Sequence, residues 1–432
     1  MRDIAVTFAV FASLPFILKR PWIGILMWTW LGFMNPHRLA WGFSTEMPFA
    51  MIVAVTTMIS LWKSKEPKVI PWTRESILLF IFVIWMIITT FFAINEVDAW
   101  QQFDKVMKIQ LMIFIGMILI TDRMRLHWLI VVIALSIGFY GVKGGYFTIL
   151  HGGVHRVQGP WGSFISGNNE MGLALAMTVP LLFYLYRYSS SKLVRPFMLA
   201  AVILTAIAAI GTQSRGALIG MSAMGVMFVL RGRQKFRIAL IVGVSAYAIA
   251  NIMPQEWYDR MATIKTYESD ASAIGRLEAW EMAFYFARTR ITGGGFETFN
   301  GYTDAHSIYF EVLGEQGFVG LTLFLLVGLA TWLSAWQIAR QASNRQETMW
   351  LADLLRMVQV SLVAYAATGA FLGMAYYDYT YNLVLIVAAS RVVFAKELAA
   401  LGSSAPAAST SVEVVQRRPA AFPATTQANT LP

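Results

Sequence analysis

An all-α polytopic membrane protein is the fold class this sequence predicts, and three observations carry it. The 432 residues are 57% hydrophobic and only 13% charged, about half of the ~25% charge of a soluble domain. Mean hydropathy is +0.58. Apolar runs of helical length recur along the chain, without the alternation that marks barrel strands. About twelve spans of ~20 residues fit this length and leave room for one extramembrane module. An ordinary soluble enzyme and a disordered scaffold are excluded. The absence of cysteine excludes disulfides, thiolate metal sites and cysteine nucleophiles. Lys and Arg (34) outnumber Asp and Glu (24), which in this class marks cytoplasmic loops rather than nucleic-acid binding.

The runs fall near 4–18, 21–35, 47–62, 75–93, 106–121, 126–142, 169–186, 195–211, 215–230, 236–253, 317–338, 353–374 and 381–395. Twelve or thirteen spans result. The first two are short, with breaks expected at Pro15 and Pro21. Lys19-Arg20-Pro21 follows the first run without a small-residue cleavage pattern, so the chain is expected to be retained whole. Every second connection is basic. Lys63, Lys65, Lys68 and Arg74 fall in one, Arg123 and Arg125 in the next but one, then Arg187, Lys192 and Arg195, then Arg231, Arg233, Lys235 and Arg237. Those connections are expected to face the cytoplasm, and the alternate set to face outward. Four divisions follow: N-terminal spans over 1–253, an outer loop module over 254–316, C-terminal spans over 317–395, and a mostly disordered cytoplasmic tail over 396–432 rich in Ala, Ser, Thr and Pro. No internal repeat is visible.

Chemistry-bearing residues gather on the outer set. Gly211-Thr-Gln-Ser-Arg-Gly216 is a sharp polar break between two apolar runs. Arg215 there can snorkel to headgroups or grip a diphosphate. The 254–306 stretch, with eight acidic and five basic residues, carries Gly275-Arg276 and Trp280 on an amphipathic segment, then Arg288 and Arg290. Those arginines can equally pair with Glu278, Glu281 and Glu297 as surface charges do. Gly293-Gly-Gly295 fits a phosphate nest less well than a plain turn. Asp304 is expected to cap a helix starting at Ala305. His306 then lies in its first turn, where the positive end of the dipole favours a neutral ring able to accept a hydroxyl proton. Further upstream, Asn168 or Asn169 is expected to cap the span that follows, and Arg156 to offer one more phosphate contact. His151 and His155 have metal-pair spacing, but Gly152-Gly153 between them argues against a helix, and no catalytic metal is expected.

The series Ser214-Arg215-Gly216, Gly275-Arg276, Trp280, Gly293-Gly-Gly-Phe296, Ala305-His306 and Gly-Glu-Gln-Gly-Phe-Val-Gly at 314–320 resembles the O-antigen ligase and polymerase superfamily of bacterial inner-membrane glycosyltransferases. Arg20-Pro-Trp-Ile-Gly and Met34-Asn-Pro-His-Arg-Leu-Ala-Trp-Gly42 look like its O-glycosylation ligase branch. Ser307 stands where many members have Asn. The resemblance implies a GT-C-type fold in the inner membrane and an active site facing the periplasm. It implies transfer of a glycan from undecaprenyl diphosphate to a lipid A-core sugar or a protein Ser or Thr, with no cofactor, metal or nucleotide sugar. Membrane lipids are partners and nucleic acid is not. It maps essential arginines onto Arg215, Arg276 and Arg288, and a histidine onto His306. The chemistry agrees: without a divalent ion, guanidinium must stabilise a diphosphate leaving group, and an acceptor hydroxyl needs a base. The rivals are a polymerase of the same superfamily and a secondary transporter, whose polar groups would cluster at mid-membrane.

Overall fold

The computed structural model describes residues 1–231, 243, 254–255, 257–258, 271–300 and 304–404. Among the described residues there are thirteen α-helices and no strand. Nine come first: α1 (Arg2–Lys19), α2 (Trp22–Met34), α3 (Phe49–Lys63), α4 (Arg74–Phe91), α5 (Glu96–Leu119), α6 (Arg123–Leu150), α7 (Asn168–Tyr188), α8 (Val194–Gly211) and α9 (Arg215–Arg231). Then follow α10 (Ala271–Thr289), α11 (Ile308–Ala342), α12 (Met349–Gly369) and α13 (Asp378–Ser404). By length and composition α4, α6, α7, α8, α11 and α12 can cross a membrane, and α2, α3 and α9 are shorter apolar helices.

The proline breaks resolve differently. α1 continues through Pro15, as apolar helices allow when neighbours and water-free packing leave no better partner for the backbone. Pro21 stands just before α2, where its missing N–H costs nothing. α13 carries helix to Ser404, so the first residues of the expected disordered tail are helical. The expected span at 236–253, most of 254–270 and the tail beyond Ser404 lie outside the described residues.

α7 is buried without interruption from Met171 to Leu182, and it packs on α8, α12 and α9. α6 meets α8 along a glycine seam. A β-carbon on Gly145 would lie 2.1 Å from the Leu204 carbonyl oxygen, and one on Gly141 2.2 Å from Thr205 Oγ1. Small residues let the two backbones touch, which is how apolar helices gain packing energy without water to exclude. Gly145→Ala is therefore expected to cost ~1–3 kcal/mol through overpacking. A thermal midpoint in detergent equal to the parent's would show instead that the helices part freely.

The two ends of the bundle differ. At one end Arg125 pairs with Glu66 (2.6 Å) and Asp122 (2.8 Å). Asp353 accepts from Tyr188 Oη (2.6 Å) and pairs with Arg356 (3.0 Å) and Arg187 (3.3 Å), while Arg123 lies 4.6 Å over the Trp350 ring. These belong to the basic connections read from the sequence. At the opposite end, called the site end below, Ile94 N donates to Gly294 O (2.7 Å) and Val157 N to Gly211 O (3.0 Å). The loops between α4 and α5, α6 and α7, α8 and α9, and α10 and α11 therefore share one face.

Candidate functional site

The polar break at 212–214 is held open by the loop before α7. Gln213 adopts a positive φ of 55°, and its side-chain amide donates to Gly153 O (2.9 Å) and Val154 O (3.2 Å). Asn168 Nδ2 donates to Thr212 O (3.0 Å). Asn168 is thus a strut to the break rather than a helix cap, and Gly167 takes the cap position of α7. Arg156 Nε faces Gln213 Oε1 at 3.4 Å, which brings Arg156 within two residues of Arg215. Arg215 is half-buried and opens α9. His151 instead turns Nδ1 to Phe147 O (2.9 Å) and stacks near that ring.

α10 lies across the site end, against the first turns of α11. Ala279, Ala283 and Ala287 form its buried stripe, small enough to let the helices touch. Trp280 stacks on Phe310 (4.5 Å, 8°) and its indole N–H donates to Ala305 O (2.9 Å). Arg276 is one turn back on the same face and half-buried. Arg288 is exposed, with its guanidinium 5.8 Å from the Phe284 ring. Twelve residues of helix separate it from Arg276, about 18 Å of rise. The structure brings Arg156 beside the Arg215 break, sets Arg276 one turn before the Trp280 that bonds Ala305, and leaves Arg288 three turns farther along α10.

The helix after His306 starts later than the sequence suggests. α11 begins at Ile308 with Ser307 as its cap, not at Ala305. Asp304 does not cap it. His306 has φ 46° and precedes the first turn, so the dipole argument for its ring lapses. The same carboxylate turns to its own neighbour: Asp304 Oδ1 accepts from His306 N (3.2 Å) and Oδ2 lies 3.4 Å from His306 Nδ1.

α11 is broken at Gly317 (φ 68°, ψ −174°). A break frees carbonyls that a continuous helix would satisfy, and each finds a donor. Gly294 N donates to Gly314 O (2.8 Å), Gly295 N to Glu315 O (2.9 Å) and Trp85 Nε1 to Gln316 O (2.8 Å). The glycine turn at 293–295 therefore spends the amides of Gly294 and Gly295 on α11 and that of Gly293 on Arg290 O (3.0 Å), which excludes the phosphate-nest reading for them. Glycine is required because a β-carbon on Gly293 would come 2.6 Å from Gly317 N.

The turn after α12 joins the two halves of the site. A β-carbon on Gly216 would lie 3.3 Å from Thr368 O; one on Gly369 would touch Ile308 Cδ1 at 2.7 Å, and one on Gly373 Asp304 Oδ1 at 2.6 Å. Residues 368–373 thus lie between Arg215-Gly216 on one side and Asp304–Ile308 on the other. Glu311 Oε2 accepts from Ala375 N (2.9 Å), and the hydroxyls of Tyr365 and Tyr381 donate to Met374 O and Ala375 O (both 3.1 Å). Glu315 is buried and its Oε1 accepts from Glu297 N (2.8 Å).

Glu311 and Glu315 escaped the sequence reading, although carboxylates four residues apart beside an apolar run are a signal in this class. Glu297 lies on the loop with positive φ. Burial, then the neighbouring Asp98 and Asp304 charges against Lys105, holds its carboxyl above the usual range. A raised carboxyl binds its proton more readily folded than unfolded, so stability falls as pH rises from the ordinary carboxylate value through the raised one. Glu297→Gln should flatten that part of the stability profile. Identical slopes for parent and variant in thermal melts across that window would contradict it.

Residues 200–325 match the family described as O-Antigen ligase. Residues 1–190 match a family of unknown function, DUF5935. No curated protein matches the chain. The first of these segments contains Arg215, Arg276, Arg288 and His306, while Arg156 and the 368–377 turn lie outside it.

Proposed function

We propose, from the premise that this chain belongs to the O-antigen ligase superfamily, that it is a membrane glycosyltransferase acting at the site end. A glycan moves from undecaprenyl diphosphate to the hydroxyl of a lipid A-core sugar or of a protein Ser or Thr. In this reading the architecture is GT-C-type with about twelve spans in the inner membrane, and the site end faces the periplasm. Arg215 and Arg276 grip the diphosphate, Arg156 supports them from beside the break, and Arg288 acts only as a remote charge. The anomeric carbon–oxygen bond to the diphosphate breaks while the acceptor oxygen bonds to that carbon, inverting it. The acceptor proton goes to His306, and undecaprenyl diphosphate leaves with its new negative charge against guanidinium.

The observation supporting this reading is the shared 368–373 turn, with the Arg215 break on one flank and the His306 segment on the other. The glycan state of a deletion strain, resolved by carrier lipid, tests it. Full-length polymer stranded on the carrier supports a ligase. Unpolymerised repeats support the second reading, a polymerase of the same superfamily, which uses the same chemistry with another lipid-linked glycan as acceptor. An unchanged glycan profile would remove both. A broken helix is also a transporter device, but here the freed carbonyls of α11 point at fixed donors rather than into a water-filled path.

A further inference from the structure

We infer that Asp304 is the positioning residue of His306, fixing the ring so that Nδ1 carries the proton and Nε2 is left to accept one. The inference rests on the base role proposed above. Its geometry is local. One oxygen of the Asp304 carboxylate accepts from the His306 backbone N–H at 3.2 Å, and the other faces Nδ1 at 3.4 Å. A carboxylate has only acceptors to offer, so the ring nitrogen facing it is favoured as the N–H donor. The carboxylate is exposed on its outer side and bounded on its inner one. It sits over Gly373, where even a β-carbon would come within 2.6 Å of Oδ1. The backbone on both sides of His306 is also fixed, by the Trp280 indole on Ala305 O and by the start of α11 at Ile308. A ring held at one nitrogen by an acid presents the other in a constant direction, which is the orienting role of the third member in acid–base triads.

A purely structural role for Asp304 would end at the bond to the His306 backbone, and Asp304→Asn separates the two. An asparagine oxygen can still accept from that N–H, which keeps the turn. Its amide nitrogen then faces Nδ1 as a donor and favours the opposite tautomer. With only five histidines in the chain, ¹⁵N-histidine labelling of the full-length protein in nanodiscs reads the His306 tautomer directly, with His306→Ala assigning the signal. No substrate is needed for that arm. Transfer is measured in parallel with membranes from a deletion strain supplying donor and acceptor. Asp304→Asn should move His306 from Nδ1–H toward Nε2–H and lower kcat ~10²-fold or more with KM nearly unchanged. Asp304→Glu should restore part of both. An Nε2–H ring in the parent, parental turnover in Asp304→Asn, or lost turnover with the tautomer unmoved would each overturn the assignment. Failure of the base reading itself is told apart by His306→Ala. Normal transfer there takes the reaction away from His306 and this role with it. An inactive His306→Ala beside a fully active Asp304→Asn removes only the role of Asp304.

Discussion

His306→Ala should cut glycan transfer by ~10²–10⁴-fold, the range of a lost general base, while binding of undecaprenyl diphosphate stays nearly intact. Arg215→Ala should do the reverse in binding, weakening the lipid diphosphate as well as slowing turnover. Arg215→Lys should recover only part, because an ammonium is a point charge and cannot make a two-pronged contact with phosphate oxygens. The split follows from where the two residues stand. Arg215 opens α9 behind a break that Gln213 and Asn168 hold in place, and the first turn of a helix adds its own positive end to the guanidinium. His306 stands before α11, across the 368–373 turn from that break. Lipid-diphosphate binding measured beside in vitro transfer for all three variants decides the matter. Normal transfer by His306→Ala would refute the base role. Loss of binding as severe as in Arg215→Ala would recast the imidazole as a phosphate ligand.

Gly317→Ala should be the most damaging single methyl in the described helices. Its φ of 68° and ψ of −174° lie in a region that only glycine occupies without strain, costing other residues ~1–3 kcal/mol. The added β-carbon would also stand 2.3 Å from the Ile291 carbonyl oxygen. That neighbour is backbone, so no side chain can swing aside, and overpacking adds ~1–3 kcal/mol more. Against a total stability of ~5–15 kcal/mol this is a large share. The thermal midpoint should fall by several degrees and protease should cut the 290–307 loop sooner, because the glycine turn is displaced with the break. Gly328→Ala is the control: nothing lies within 4 Å of its β-carbon, and alanine is the better helix former. Equal melting and equal cleavage of Gly317→Ala and Gly328→Ala would disprove the account.

The apolar helices and the basic connections between them were legible because each rests on local signals. Apolar length marks a helix, and basic connections mark one end; Glu66–Arg125 and Arg187–Asp353 join connections that share it. The glycine run read as a plain turn, and its amides are indeed committed, one within the turn to Arg290 O and two to α11. The start of α11 was misread because Asp304 reads as a cap in isolation, while in the fold its carboxylate is taken up by the next turn of chain. Asp304 has turned back onto the His306 amide, and the helix starts after Ser307, which holds the cap position without a side-chain cap bond. Asn168 was misread for the same reason, its partner Thr212 being 44 residues away. Glu311 and Glu315 stayed hidden because their partners, Ala375 N and Glu297 N, are set by tertiary packing.

The pairing of α4 with α11 bears on how the chain is made. Trp85 and Thr89 hydrogen-bond to Gln316, and Glu75 accepts from Ser334, across 231, 227 and 259 positions of sequence. During synthesis α4 therefore enters the bilayer long before its polar partners leave the ribosome. Until then the Glu75 carboxyl and the Trp85 indole N–H lack these partners, and the Thr89 hydroxyl has only the Met86 carbonyl of its own helix, a cost in an apolar medium. The segments matched by DUF5935 and by the ligase family are in this sense one unit of assembly, because α4 completes its polar contacts only when α11 arrives.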